Sequence, residues 1–184
     1  TWVMPTGRPV TRFVASTTMQ SEMQSSLGLG SLFVFITLSI GFRSFKQATV
    51  TLVPILLVVV WLYGLMYMAG SSLNIVTVTI ATISLGVGID YCIHVTERYR
   101  EGRESGESHE EALIGIGGAC GLALIGSAAS DIAGFSVIAL SPMGLFTNFG
   151  IFSAAMIAFS LVASLVLTTA ALGLVARRPS PEAS

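Results

Sequence analysis

The feature that most constrains this chain is where its charges are missing. Between Glu22 and Arg43 lie 20 uncharged residues, between Lys46 and Asp90 lie 43, and between Asp131 and Arg177 lie 45. One bilayer crossing takes about 20 apolar residues as a helix, so these intervals accommodate one, two and two crossings. Asp90 and Asp131 then fall inside crossings rather than between them. The expected fold is all-α: a polytopic membrane helix bundle with five transmembrane helices. The expected spans are about 27–42, 50–68, 73–96, 112–140 and 146–175.

Composition agrees, with 53% hydrophobic and only 10% charged residues, where soluble domains carry about 25% charged. A net charge of -1 with no basic patch gives nucleic acid no footing as a partner. Cys92 and Cys120 lie within or beside crossings, so both read as small buried hydrophobes rather than a disulfide. No cofactor and no metal is expected, and no enzymatic activity.

Residues 1–26 are polar. Thr6-Gly7-Arg8-Pro9-Val10 reads as a turn into an extended piece, and Phe13 to Ser26 as an amphipathic lead-in helix. The opening residues resemble the tail of something larger, so a fragment is suspected. Arg43-Ser-Phe-Lys46 is a tight basic connector, and Pro54 is expected near the start of the second span. Trp61 is expected to pack against neighbouring helices. Glu97–Glu111 reads as a polar connector, either a solvated loop or a surface helix, and residues 177–184 as a disordered tail. Arg43, Lys46, Arg98, Arg100, Arg103, Arg177 and Arg178 fall on one side of a five-span chain, with Arg8 and Arg12 on the other. That imbalance places the polar connector and the carboxy terminus in the cytoplasm of a multi-pass cell-membrane protein, with the amino-terminal segment outside.

The third span carries the chemistry. An ionisable group in hydrocarbon costs at least a few kcal/mol and is usually retained for a task. Asp90 and His94 are i and i+4, so they share a helix face, and Glu97 continues it. Desolvation brings carboxyl protonation within reach of neutral pH, and an imidazole titrates there already. Asp90 and His94 are therefore candidates for a proton relay. Gly86 and Gly88 thin this helix, and the fourth span, which holds Gly134, is also rich in small residues; these are read as helix-packing positions. Asp131 is a candidate second buried acid. Counting from the span ends puts it very roughly 20 Å from Asp90 in depth, so no contact between the two is expected.

Gly86-Val-Gly88-Ile-Asp90-Tyr91-Cys-Ile93-His94, followed by Glu97-Arg98-Tyr99-Arg100-Glu101, resembles the fourth helix of each half of the resistance–nodulation–division (RND) transporter superfamily. The best match is its MmpL-like hydrophobe/amphiphile exporter branch. Phe42-Arg43-Ser44, Ser127 to Phe135, Ser141-Pro142 and Phe149-Gly150 resemble other parts of the same repeat in the same order. The resemblance implies helices 2–6 of one RND repeat, preceded over residues 1–26 by the end of an extracytoplasmic porter domain. It implies proton-motive-force-driven export of hydrophobic or amphiphilic molecules, lipids above all, with Asp90-Tyr91 as the proton-coupling pair. The implied partners are membrane lipids, such a substrate, the other half of the transporter, and further copies in a homo-oligomer. One departure is Ser130-Asp131 where relatives usually carry Thr-Thr; the family gives that acid no role. Three alternatives stand beside transport. One is a sterol-sensing-type lipid sensor, and another a proton-driven assistant of protein secretion. The remotest is an intramembrane aspartyl protease, whose Gly-x-Gly-Asp motif would need its acid where Ile89 stands.

Overall fold

The computed structural model describes residues 25–26, 28–71 and 75–176. The readings on most of the lead-in segment, on the start of the third span and on the tail lie outside the described residues. Within them the chain forms five helices: α1 (Gly28–Phe42), α2 (Phe45–Met68), α3 (Ile75–Glu104), α4 (His109–Ala139) and α5 (Gly144–Leu174). Of these, α2, α4 and α5 are long and apolar enough to cross a membrane, and α1 is a shorter apolar helix. The all-α membrane bundle expected from the charge pattern is what the chain builds.

The helices end where local chemistry stops them. Arg43 takes a left-handed backbone (φ 51) between α1 and α2, and the Ser44 hydroxyl accepts a hydrogen bond from Gln47 N to cap α2. The cap starts α2 at Phe45, ahead of the expected span, so Pro54 sits buried in the helix interior rather than near its start. At the other end Gly70 (φ 64) lets Ser71 N reach Met66 O and Gly70 N reach Tyr67 O, closing the helix. Gly106 (φ 88) closes α3 in the same way, with Glu107 N on Gly102 O and Gly106 N on Arg103 O.

The connector expected over Glu97–Glu111 is mostly helix. Arg100 pairs with Glu97 at 3.7 Å and with Glu104 at 3.0 Å, one turn away on either side, and α3 runs on to Glu104. Only residues 105–108 turn the chain. Ser108 and Glu111 then form a reciprocal capping box at the start of α4. Hydrogen bonding to Ser108 holds the Glu111 carboxyl below its usual value. Arg98 reaches across the hairpin to Glu107 at 3.1 Å.

Because α3 packs against α2, α4 and α5, the core forms around it. Tyr91, Val95 and Tyr99 of α3 are buried with Val58 and Leu62 of α2, Ile116, Leu124 and Ala128 of α4, and Met156 and Ile157 of α5. A smaller cluster fixes α1 through Leu38 and Phe42 against Leu52, Ile55, Ile89 and Cys92. Trp61 meets Phe159 edge to face at 5.9 Å, so it packs inward as expected. Two polar contacts lie in this core: Thr51 bonds Thr96 at 3.0 Å, and Thr168 donates to the Cys92 sulfur at 3.3 Å, while the buried Ser153 hydroxyl is left without a partner. Both cysteines are free thiols.

Candidate functional site

Tyr91 is the anchor. It is 4% exposed, and its hydroxyl donates to Asp131 Oδ2 across the α3–α4 hairpin at 3.0 Å. Beside this bond lies a cavity of about 480 Å³ lined by Asp90, Tyr91, His94, Ser127 and Asp131, with Cys120 and Leu124 among its remaining walls. Asp90 and His94 sit one turn apart on α3, and Ser127 and Asp131 one turn apart on α4. Two helical registers therefore bring every polar group expected of the relay, and the second acid with them, to one space. Glu97 is outside it, paired to Arg100.

No contact between Asp90 and Asp131 is seen, but Asp131 lies nearer than the count of very roughly 20 Å suggested. It bonds Tyr91, the residue after Asp90, and shares a cavity with Asp90, and the reason is geometric. The count assumed that the third span ends near residue 96, whereas α3 continues to Glu104. Measured from the hairpin turn, Tyr91 stands 13 residues before Glu104 and Asp131 22 residues after His109, an axial offset of about 13 Å. Side chains lean toward the amino terminus of their own helix. In this antiparallel pair the Tyr91 side chain leans away from the turn and that of Asp131 toward it, and they meet.

Burial also differs from expectation. Asp90 and His94 are exposed at the cavity's open side, Asp131 is half-buried, and Tyr91 alone of the pair expected to couple protons is buried. With α3 central in the bundle, Tyr91 and Cys92 point inward and Asp90 points to the open flank. The glycines divide. A Cβ on Gly88 would stand 2.8 Å from Ser160 Oγ, so Gly88 sets the close approach of α3 and α5, whereas Gly86 and Gly134 face open space within this chain. The closest backbone approach is at Gly150, where an added Cβ would run into Phe135 and Ala139 of α4. The sequence signal there was only the Phe149-Gly150 pair.

On the α4 side, Gly117-Gly118 breaks the helical register. The backbone makes a wide turn over Ile116–Cys120, with Gly118 at ψ -124. Glycine pairs and wide turns are regular sources of kinks. Cys120, which ends this turn, lines the cavity wall.

Comparisons with known proteins agree with this architecture. Residues 6–184 match the MMPL family model. The chain is 31% identical over 168 residues to the membrane protein MJ1562 of Methanocaldococcus jannaschii, covering 91% of this chain and 43% of that protein. It is 29% identical over 141 residues to the hopanoid transporter HpnN of Burkholderia multivorans, covering 73% of this chain and 16% of that protein. It thus spans less than half the length of either relative. With the family model matched along nearly the whole chain, and with a helix bundle and polar cavity in keeping with it, this chain belongs to the MMPL family.

Proposed function

We propose that this chain is the membrane part of a secondary transporter that uses proton entry to move hydrophobic or amphiphilic molecules, lipids in particular. The observation that carries the reading is the cavity itself. Two carboxylates, an imidazole, a phenol and a serine hydroxyl converge between α3 and α4, the latter long and apolar enough to cross a membrane. Polar groups at such a depth are expensive and belong to ion or proton pathways more often than to packing. The relative HpnN is named as a hopanoid transporter, which supports a lipid-like cargo. On this reading Asp90 takes up and releases the proton, His94 passes it along the same helix face, and Tyr91 positions the acid across the hairpin.

The Lys/Arg asymmetry supports a cytoplasmic α3–α4 turn and carboxy terminus, with residues 1–26 leading in from an extracytoplasmic domain. Because Asp90 and His94 are exposed on one flank of the bundle, that flank needs a protein or water neighbour rather than lipid tails. A second half of the transporter, or another copy of this chain, would supply it. A protease dyad fits less well: it needs two carboxyls sharing one proton, and the Asp131 carboxylate is instead engaged by Tyr91.

The test is Asp90→Asn in the full-length protein, reconstituted in proteoliposomes with an NBD-labelled fatty acid as probe. An imposed pH gradient should accelerate probe movement in the wild type and leave the variant at its gradient-free rate. Gradient-driven movement that survives in Asp90→Asn would remove Asp90 from the coupling. A wild type indifferent to the gradient would instead favour a sensor.

A further inference from the structure

From the position of Asp131 we infer that it is a second proton-carrying acid of the coupling path, held by the Tyr91 hydroxyl as a latch between α3 and α4. The inference rests on the transport reading above and deepens it. Three observations carry it. The Tyr91 hydroxyl, on a buried ring, donates to Asp131 Oδ2 at 3.0 Å. The carboxylate borders the 480 Å³ cavity that holds Asp90 and His94. It also borders a second cavity, of about 320 Å³, lined by Ser130, Gly134, Phe135 and Ile138 toward the opposite end of α4. Between these two cavities Asp131 is the shared wall, so one acid faces both a space on the hairpin side and a space leading away from it.

The chemistry follows from the donor and acceptor inventory of the pair. An ionised Asp131 can only accept, so the Tyr91 O–H must point at it, and a hydrogen bond to a charged acceptor is about twice as strong as a neutral one. When a proton arrives from hydronium in the cavity or from a His94 imidazolium, an O–H bond forms on Asp131 and the donor is left as water or neutral imidazole. Tyr91 keeps its own proton throughout. The bond between the two helices is then neutral and weaker, and the hairpin is free to open toward the second cavity. Release of the proton there restores the carboxylate and the latch. The groups facing Asp131 are few. From α3 they are Asp90, Tyr91 and His94, and from α4 Cys120. α5, which packs along α4, has no titratable side chain between Gly144 and Leu174.

The experiment is infrared difference spectroscopy, acid minus alkaline, on the full-length protein in lipid, joined to the proteoliposome assay with the NBD-labelled fatty acid. In the wild type a protonated-carboxyl stretch should appear on acidification. Asp131→Asn should delete one component of it and leave that of Asp90, Tyr91→Phe should displace the frequency of the same component by removing the hydrogen-bond partner, and Asp131→Glu should retain it. In transport, Asp131→Asn should fall to the gradient-free rate and Asp131→Glu should recover gradient dependence. A carboxyl band untouched by Asp131→Asn, a band unmoved by Tyr91→Phe, or gradient-driven transport that persists in Asp131→Asn would each overturn the inference. The Asp90→Asn arm separates the two readings. If that variant still couples while Asp131→Asn does not, the assignment of Asp90 fails and that of Asp131 stands.

Discussion

Replacing Gly150 by alanine tests the packing that holds the site together. Its Cβ would stand 2.8 Å from Ala139 Cα and closer still to Ala139 N and Phe135 O, where carbon contacts are optimal only from about 3.5 Å. All three atoms belong to the α4 backbone, which cannot rotate aside as a side chain can. The two helices must therefore part by nearly 1 Å, a gap that forfeits about a quarter to a half of each dispersion well along the contact. Overpacking costs about 1–3 kcal/mol, and a rigid backbone on two sides argues for the upper end. Alanine's better helix propensity returns about 1 kcal/mol, which leaves a net loss of about 2 kcal/mol. At about 2–4 °C per kcal/mol for a chain of this size, the midpoint should fall by about 4–8 °C. Gly134→Ala is the control, since its Cβ meets open space and only the propensity gain remains. The assay is size-exclusion chromatography of the detergent-solubilised full-length protein after heating. Equal midpoints for the two variants would refute the close α4–α5 approach.

At the start of α4, Ser108→Ala should speed amide hydrogen exchange at Glu111, because the Ser108 hydroxyl accepts from that amide at 3.2 Å. The Glu111 carboxyl is held below its usual value by Ser108, so its half of the cap is complete above the unfolded carboxyl value. It is lost as pH falls through the lower folded one. Acidification into that window should therefore loosen the first turn of α4 in the wild type, and a first turn equally protected on both sides of it would contradict the capping box. Across the hairpin, Glu107→Gln should cost at most about 1 kcal/mol, as for other partly exposed ion pairs. Gly115→Ala should cost no more than that by the same heating assay, since its Cβ meets only the far end of the flexible Arg98 side chain, which can move aside.

The fold was legible because the bilayer sets a strict length rule. Uncharged intervals of 20, 43 and 45 residues admit few arrangements other than helices that cross and return. The helix ends were less legible, since hydropathy marks where lipid stops and capping marks where the helix stops. At Ser44 the cap starts α2 in the basic connector, and at Glu104 ion pairs carry α3 through a polar stretch whose composition leaves loop and surface helix both open. Packing glycines were legible only in part. A glycine-rich helix says that something comes close, but not which residue is touched. In the α4–α5 pair the contact falls on Gly150 of the less glycine-rich helix, while Gly134 looks outward.

The site shows the same limit more sharply. Asp90 and His94 could be picked out on one helix, because i and i+4 spacing is a property of sequence alone, whereas Tyr91 was implied only by the family resemblance. Asp131 belongs to another helix, and placing it required the length of α3 beyond the expected span, the register of the hairpin and the lean of both side chains. An error of eight residues in where α3 ends, about 12 Å of rise, was enough to overstate the depth between Asp131 and Asp90, whose neighbour Tyr91 bonds Asp131. What the sequence did offer was the oddity itself: an acid in an apolar span, at a position where relatives were expected to carry threonine. An acid so placed has to find a donor or stay neutral. Tyr91, buried and one residue beyond Asp90, is the donor it finds. The bond ties the second acid to the same turn of helix as the first, so loss of the Tyr91 hydroxyl should affect both acids together rather than either alone.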